Sequence, residues 1–439
     1  MRRAKCALLL LCLGATTMSP VASRAVEAVP LVGSLHAGDA AFWSGGAVDG
    51  ALAHSVKGVP SNANVDRCAT TGSCFTFGLE LLDTGADVRI ALDTPYRDDG
   101  FEISVFAPGG ALAKKFSNNN AFTTEAFITA PAPGLWTIKV APVSADYASF
   151  RMRAKLEAAP YAPVADADGL LLPDMRVTRL WEFGFVAPAN PANGAFPPDY
   201  VNPPLDVLGE HPLSCGLDEM QQDGVSRCLR FSFGLANVGE GYFDVRFPSD
   251  NSGALHQNYQ CVQRADGATP LKHTAGFSYY HTNHEHYHFK DIIAHQLMKV
   301  TDRATGAMVP AGKGEKLGYS PADQGIPEWR TFGAAPSGTS GTGGNCDPAD
   351  TQRLGLSRGW GDAYRYQRPG NYVDFNTNSD GYYVVQTTVD PTHTLIEART
   401  DNNTSYAYLH IVGDHVDELE SGVGKSPWDP ARVVFDENT

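Results

Sequence analysis

Charge is scarce in this chain. Asp, Glu, Lys and Arg make up 19% of its 439 residues, against roughly 25% in an average soluble protein. Cationic side chains are the scarcer kind: 34 Lys and Arg stand against 49 Asp and Glu, a net charge of −15. A nucleic-acid interface needs a basic face, so no nucleic-acid partner is expected. Beyond the first segment, no run of 18 or more apolar residues occurs, so no membrane anchor is expected either. There is no Cys-x-x-Cys pair, which argues against a zinc site built on cysteines. Long helical periodicity and internal repeats are also missing. What remains is an apolar content of 43% with 44 Gly and 29 Pro, enough for a sizeable core interrupted by many turns. The expected fold class is all-β.

Residues 1–25 read as a secretory signal peptide. Arg2, Arg3 and Lys5 form a basic start, Ala7 to Ala15 a short apolar stretch, and Ser23-Arg24-Ala25 a small-residue cleavage site. A secreted or periplasmic location follows. Of the eight cysteines, Cys6 and Cys12 leave with this segment. An even set remains, Cys68, Cys74, Cys215, Cys228, Cys261 and Cys346, as an oxidising compartment favours. Local spacing suggests Cys68–Cys74 and Cys215–Cys228, and elimination then leaves Cys261–Cys346.

Residues 30–158 show alternating runs: Phe75–Leu79, Val88–Leu92, Phe101–Phe106 and Leu135–Val140. Period-two alternation between Gly, Pro and Asp turns predicts strands of a small β-sandwich. Asp98-Asp99 with Phe101, Val105, Pro108 and Gly110, followed by Pro133-Gly134 with Trp136 and Val140, resembles the accessory sandwich domains beside secreted bacterial peptidases. Residues 159–170 read as a linker, 171–413 as a second β module, and 414–439 as a C-terminal tail. Strands in the second module are expected at Leu229–Phe233, Tyr382–Val389 and Ser405–Val412.

The chemistry concentrates in residues 281–288, His-Thr-Asn-His-Glu-His-Tyr-His, where four of the thirteen histidines fall. On a strand, His284, His286 and His288 share one face, at about 7 Å between successive same-face Cα atoms. A twisted or bent strand can converge three imidazoles on one metal, and imidazole suits Cu, Zn, Fe and Ni. The motif by itself leaves the metal open, a three-histidine zinc hydrolase included.

Read with its surroundings, this block resembles the catalytic domain of the lysyl oxidase family, the copper amine oxidases with a lysine tyrosylquinone cofactor. The family pattern HxxHxHYHxxDxxxH runs through His281, His284, His286, Tyr287, His288, Asp291 and His295 without a gap. Gly314 to Tyr319, with Lys316, fits the cofactor lysine segment, with Tyr in place of Phe. Gly355 to Tyr364 fits the cofactor tyrosine segment GLSxGxxDxY, and Asp374 stands ten residues on. The resemblance spans about residues 170–412. It implies Cu(II) on His284, His286 and His288, and a quinone formed from Lys316 and Tyr364. It also implies a β-sandwich catalytic domain that turns primary amines, above all lysine side chains in peptides or proteins, into aldehydes. Molecular oxygen is the acceptor; ammonia and hydrogen peroxide are released. His295, with Asp291 second, is the expected base, since imidazole titrates near neutral pH. The chain also departs from the family: Asn283 stands where animal members have Cys, and their disulfides around the lysine and tyrosine segments are missing. Lys313, Tyr366 and Tyr372 are neighbours that could be mistaken for the cofactor pair. A non-catalytic copper-binding surface protein on the same fold is the alternative.

Overall fold

The computed structural model describes residues 32–46, 74–94, 100–117, 123–144, 149–157, 161–185, 227–248, 253–281, 285–314, 318–323, 341, 343–364, 366 and 371–435. Every regular element among them is a strand, so the chain is all-β. None of these residues lies in a helix long and apolar enough to cross a membrane. The expected signal segment, Cys68 and Cys215 lie outside the described residues. Cys74 and Cys228 are each disulfide-bonded. Cys261 bonds to Cys346 across 85 residues of sequence, with Cα atoms 5.6 Å apart, as elimination suggested.

Two large apolar cores are present among the described residues, besides a small cluster of Val300, Val384, Tyr406 and Tyr408. The first gathers residues from Leu35 to Leu156 between two sheets. One sheet orders Val32–Leu35, Phe75–Leu81, Gly134–Ser144, Gly100–Phe106 and Leu112–Ser117; the other orders Ala40–Gly46, Ser149–Leu156, Val88–Asp93 and Thr123–Ile128. Alternation explains the assignment. Leu135 is exposed, whereas Trp136, Ile138 and Val140 enter the core. Val88–Asp93 is buried on both faces: Val88, Ile90 and Leu92 join the apolar core. Arg89 and Asp93 are instead met by Glu125 and Arg153 at 2.7 and 2.9 Å. Pairing satisfies these charges, since a buried lone charge is costly.

The second core runs from Met175 to Ile411. At its centre lies Cys228–Asn237, a strand whose ten residues are all buried. It pairs with Met175–Val177, Trp181–Phe185, Gly361–Tyr364 and Tyr372–Asp374. A second sheet orders Gly318–Tyr319, His286–Lys290, Leu271–His281, His256–Arg264, Phe243–Phe247 and Gln352–Leu356. A third orders Ala307–Lys313, Ile293–Asp302, Gly381–Val389, Thr404–Val412, His415–Val423 and Val433–Val434. The stretch expected as a tail thus supplies a full strand, His415–Val423, which adds to Thr404–Val412 in antiparallel register. Asp417, Glu418 and Glu420, spread over both faces, hide it from an apolar pattern.

The expected linker is pinned at Tyr161. Its backbone N–H donates to Asp87 in the first body at 3.3 Å. Its hydroxyl donates to Glu240 in the second, and the Arg358 guanidinium sits 5.0 Å over its ring. Burial, and then the Glu240 carboxylate, push the phenol pKa up.

Candidate metal centre

The histidine strand, His286–Lys290, is short because of its ends. Glu285 and Asp291 on either side have φ of 55° and 59°, the left-handed region that non-glycine residues rarely adopt. Neither can continue the ladder. Between them the alternation is strict. Tyr287 and Phe289 point to the apolar core, so His286, His288 and Lys290 take the opposite face.

Register with Leu271–His281 then assembles the cluster. His288 lies opposite Tyr279, and His286 opposite His281. The His281 and His288 rings stack in parallel, 5.3 Å apart at 7°. The Nε2 atoms of His286 and His288 approach to 2.9 Å. The Tyr279 hydroxyl lies 3.4 Å from Nδ1 of His288. His288 is 2% exposed, while His286 reaches solvent.

The paired nitrogens are close enough to share a hydrogen bond or to face one ion. Two imidazole nitrogens each about 2.0–2.1 Å from one ion and at right angles to each other sit about 2.9 Å apart; a tetrahedral pair sits about 3.3 Å apart. The observed 2.9 Å is compatible with the right-angled arrangement, and it is equally the ordinary length of a hydrogen bond between the two rings. Among the described residues no group of three His, Cys, Asp or Glu side chains gathers to hold a metal. The third expected ligand, His284, lies outside them.

The other expected site residues are dispersed. Asp291 pairs with neighbouring Lys290 at the surface. His295 stands on a different sheet, in the strand Ile293–Asp302, and is 2% exposed. Its ring packs edge-on to Phe231 and Phe233, at 5.1 and 4.8 Å, and its Nδ1 meets the Thr387 hydroxyl at 2.8 Å. Lys316 lies outside the described residues. The glycines two positions to either side are described, and both are tightly held. A Cβ on Gly314 would fall 2.5 Å from Cβ of His295. One on Gly318 would fall 2.6 Å from the Tyr279 hydroxyl oxygen and 2.8 Å from Nδ1 of His288.

Tyr364 ends the strand Gly361–Tyr364, opposite Phe233. Its ring stacks on Tyr319 with centroids 4.2 Å apart, and its hydroxyl accepts the Ser320 N–H at 3.3 Å. Tyr319 pairs with Phe289 and is buried in the core, while Gly318 pairs with Lys290 on the far face. Tyr364 and the histidine pair therefore lie on opposite faces of the two-residue strand Gly318–Tyr319. Of the neighbours, Lys313 ends the strand Ala307–Lys313. The Tyr366 N–H donates to the Ser232 hydroxyl at 2.7 Å, and Tyr372 is fully buried 5.8 Å from the Arg230 guanidinium.

Sequence reading missed Tyr279, although its place two residues before His281 on an alternating strand puts it on the histidine face. It also missed a pair of buried carboxyl groups away from this site. Asp174 accepts from Asn402 Nδ2 at 2.8 Å. Glu397 accepts from Asn403 Nδ2 at 2.7 Å and from the Met175 N–H at 3.0 Å. Burial raises both above the ordinary carboxyl range, Glu397 to about 8.

No family model matches the chain, and no curated protein matches it.

Proposed function

We propose that the chain is a secreted or periplasmic copper amine oxidase of the lysyl oxidase kind, its second body being the sandwich of that family. The observation that carries this reading is the convergence of the His286 and His288 Nε2 atoms to 2.9 Å, inside a motif that also supplies Lys316 and Tyr364 in order. Support comes from the two glycines around the lysine. They pack against His295 and His288, and two residues of chain span at most about 7 Å.

His284, His286 and His288 would hold the copper. The copper and a quinone made from Lys316 and Tyr364 supply the oxidation: amine, oxygen and water give aldehyde, ammonia and hydrogen peroxide. His295 is the base in this reading. The Thr387 hydroxyl lies 2.8 Å from its Nδ1; in the tautomer where Nδ1–H donates to that hydroxyl, Nε2 carries the lone pair that would take a proton from the carbon beside the amine. Phe231 and Phe233 keep water from that ring. Asp291, paired with Lys290 at the surface, is the weaker candidate.

The position of Tyr364 on the core face favours a second reading, a copper-binding protein in which the quinone does not form. The test is the visible spectrum of the copper-loaded protein before and after phenylhydrazine. A quinone band that shifts to a hydrazone colour, lost in Lys316→Ala and Tyr364→Phe while copper stays bound, is the expected result. Bound copper without any such band replaces the oxidase reading by the binding protein.

A further inference from the structure

We infer that Tyr279, together with the missing side chain at Gly318, is a positioning device that fixes which nitrogen His288 offers to a metal. This rests on the copper reading above and adds a role for residues that the histidine motif does not contain.

The geometry is local and specific. Tyr279 stands directly opposite His288 in the ladder. Its ring meets the imidazole edge-on at 5.6 Å and 66°, and its hydroxyl lies 3.4 Å from Nδ1, a weak contact just beyond the ordinary hydrogen-bond range of about 2.7–3.2 Å. His281 covers the flat side of the same imidazole. His288 is thus held from one side by a stacked ring and at one nitrogen by a phenol. Its Nε2 points to Nε2 of His286.

A neutral imidazole carries its proton on one nitrogen and offers the lone pair of the other. When the phenol oxygen accepts the proton on Nδ1, the lone pair lies on Nε2, beside the matching atom of His286. Partners of this kind fix the tautomer and orientation of a metal-binding histidine, and removing them costs about 10–100-fold in metal affinity. Gly318 makes the arrangement possible. Any Cβ there would lie 2.6 Å from the phenol oxygen and 2.8 Å from Nδ1, inside the closest contact carbon makes with either. A side chain at 318 would have to push the phenol and the imidazole apart.

The experiment is a Cu(II) titration of the full chain against a competing chelator, read with electron paramagnetic resonance and with chemical denaturation of the copper-free protein. Tyr279→Phe keeps the ring and its packing and removes only the hydroxyl. We expect copper to bind this variant about 10-fold or more weakly, with altered nitrogen couplings, while the copper-free protein unfolds at an unchanged midpoint. Gly318→Ala should weaken copper in the same direction. Wild-type affinity and an unaltered spectrum in Tyr279→Phe would overturn the positioning role while leaving the copper reading intact. A wild-type chain that binds no copper, or whose binding survives His288→Ala, overturns the copper reading and this inference with it.

Discussion

At the scale of single residues, the decisive contrast is between neighbours that face opposite ways. Gly318 lies against His288 and Tyr279, and Tyr319 next to it fills the core beneath Tyr364. The Tyr319 ring does two jobs. It stacks on Tyr364, and its hydroxyl donates to the Asp362 carbonyl at 2.9 Å in a buried setting. Tyr319→Phe restores the residue that the resemblance leads one to expect, keeps the stack and removes one hydrogen bond. It leaves the Asp362 carbonyl short of a donor, so a loss of about 1–2 kcal/mol is expected in urea denaturation. Tyr319→Ala also empties a fully buried aromatic site, and about 3–5 kcal/mol should be lost. Equal stabilities for the two variants would show that the ring contributes nothing to the core.

At the scale of elements, the connection between Gly381–Val389 and Thr404–Val412 has no strand of its own and is held by polar side chains. Asp390 accepts from Thr394 and Leu395. Glu397 reaches Asn403 and Met175. The Glu397 carboxyl is raised from 4.5 to about 8, chiefly by burial. Its folded-state pKa therefore lies above its unfolded one, and the protonated form is the one the fold prefers. The stability it contributes is fully present below about pH 4.5 and is lost as pH rises through about 8. The swing is on the order of 5 kcal/mol. Glu397→Gln should flatten this part of the stability profile between pH 5 and 8. A slope unchanged in the variant would mean the carboxylate is ionised in the folded chain.

Elements also show what sequence makes legible. Leu135 to Val140 alternates cleanly and forms the expected strand, as do Tyr382–Val389 and Ser405–Val412. Cys228–Asn237 is longer than its Leu229–Phe233 signal: Leu229, Phe231, Phe233 and Leu235 carry the alternation into the core, and the small residues Gly234 and Ala236 extend the strand with both faces buried. His415–Val423 was missed because Asp417, Glu418 and Glu420 put charge on both of its faces, Glu418 and Glu420 being paired with Arg179 and Arg432. For the site, alternation put His286 and His288 on one face. Collinear motifs say nothing about which face of a neighbouring strand a residue takes. The split between Tyr364 and the histidines arises from register across the short strand Gly318–Tyr319, a long-range property that no local pattern carries.

At the scale of the whole molecule, two cores of local origin are tied by a few long-range links, and the links govern how the chain unfolds. Tyr161 is one, reaching Asp87, Glu240 and Arg358. Within the second body, the Cys261–Cys346 bond is a stronger long-range link. Cys261 is fully buried in the strand His256–Arg264, and Cys346 belongs to the segment before Gln352–Leu356. Beside it, Lys272 pairs with Asp347 and Asp350 at 2.7 and 2.8 Å. These partly exposed ion pairs contribute little alone, so the covalent link carries the tie. It spans 85 residues, and closing a loop of that length lowers the entropy of the unfolded chain by about 4–5 kcal/mol of stability. That loop also contains the histidine strand, Lys316 and the Gly314 and Gly318 contacts. The double variant Cys261→Ser with Cys346→Ser should therefore lose on the order of 4 kcal/mol in guanidinium denaturation. It should bind copper with unchanged affinity wherever it stays folded, because neither cysteine touches the histidine pair. A variant that keeps its stability would show that the unfolded chain is already restrained near this crossing. One that keeps its stability but loses copper would place the link in the metal site itself.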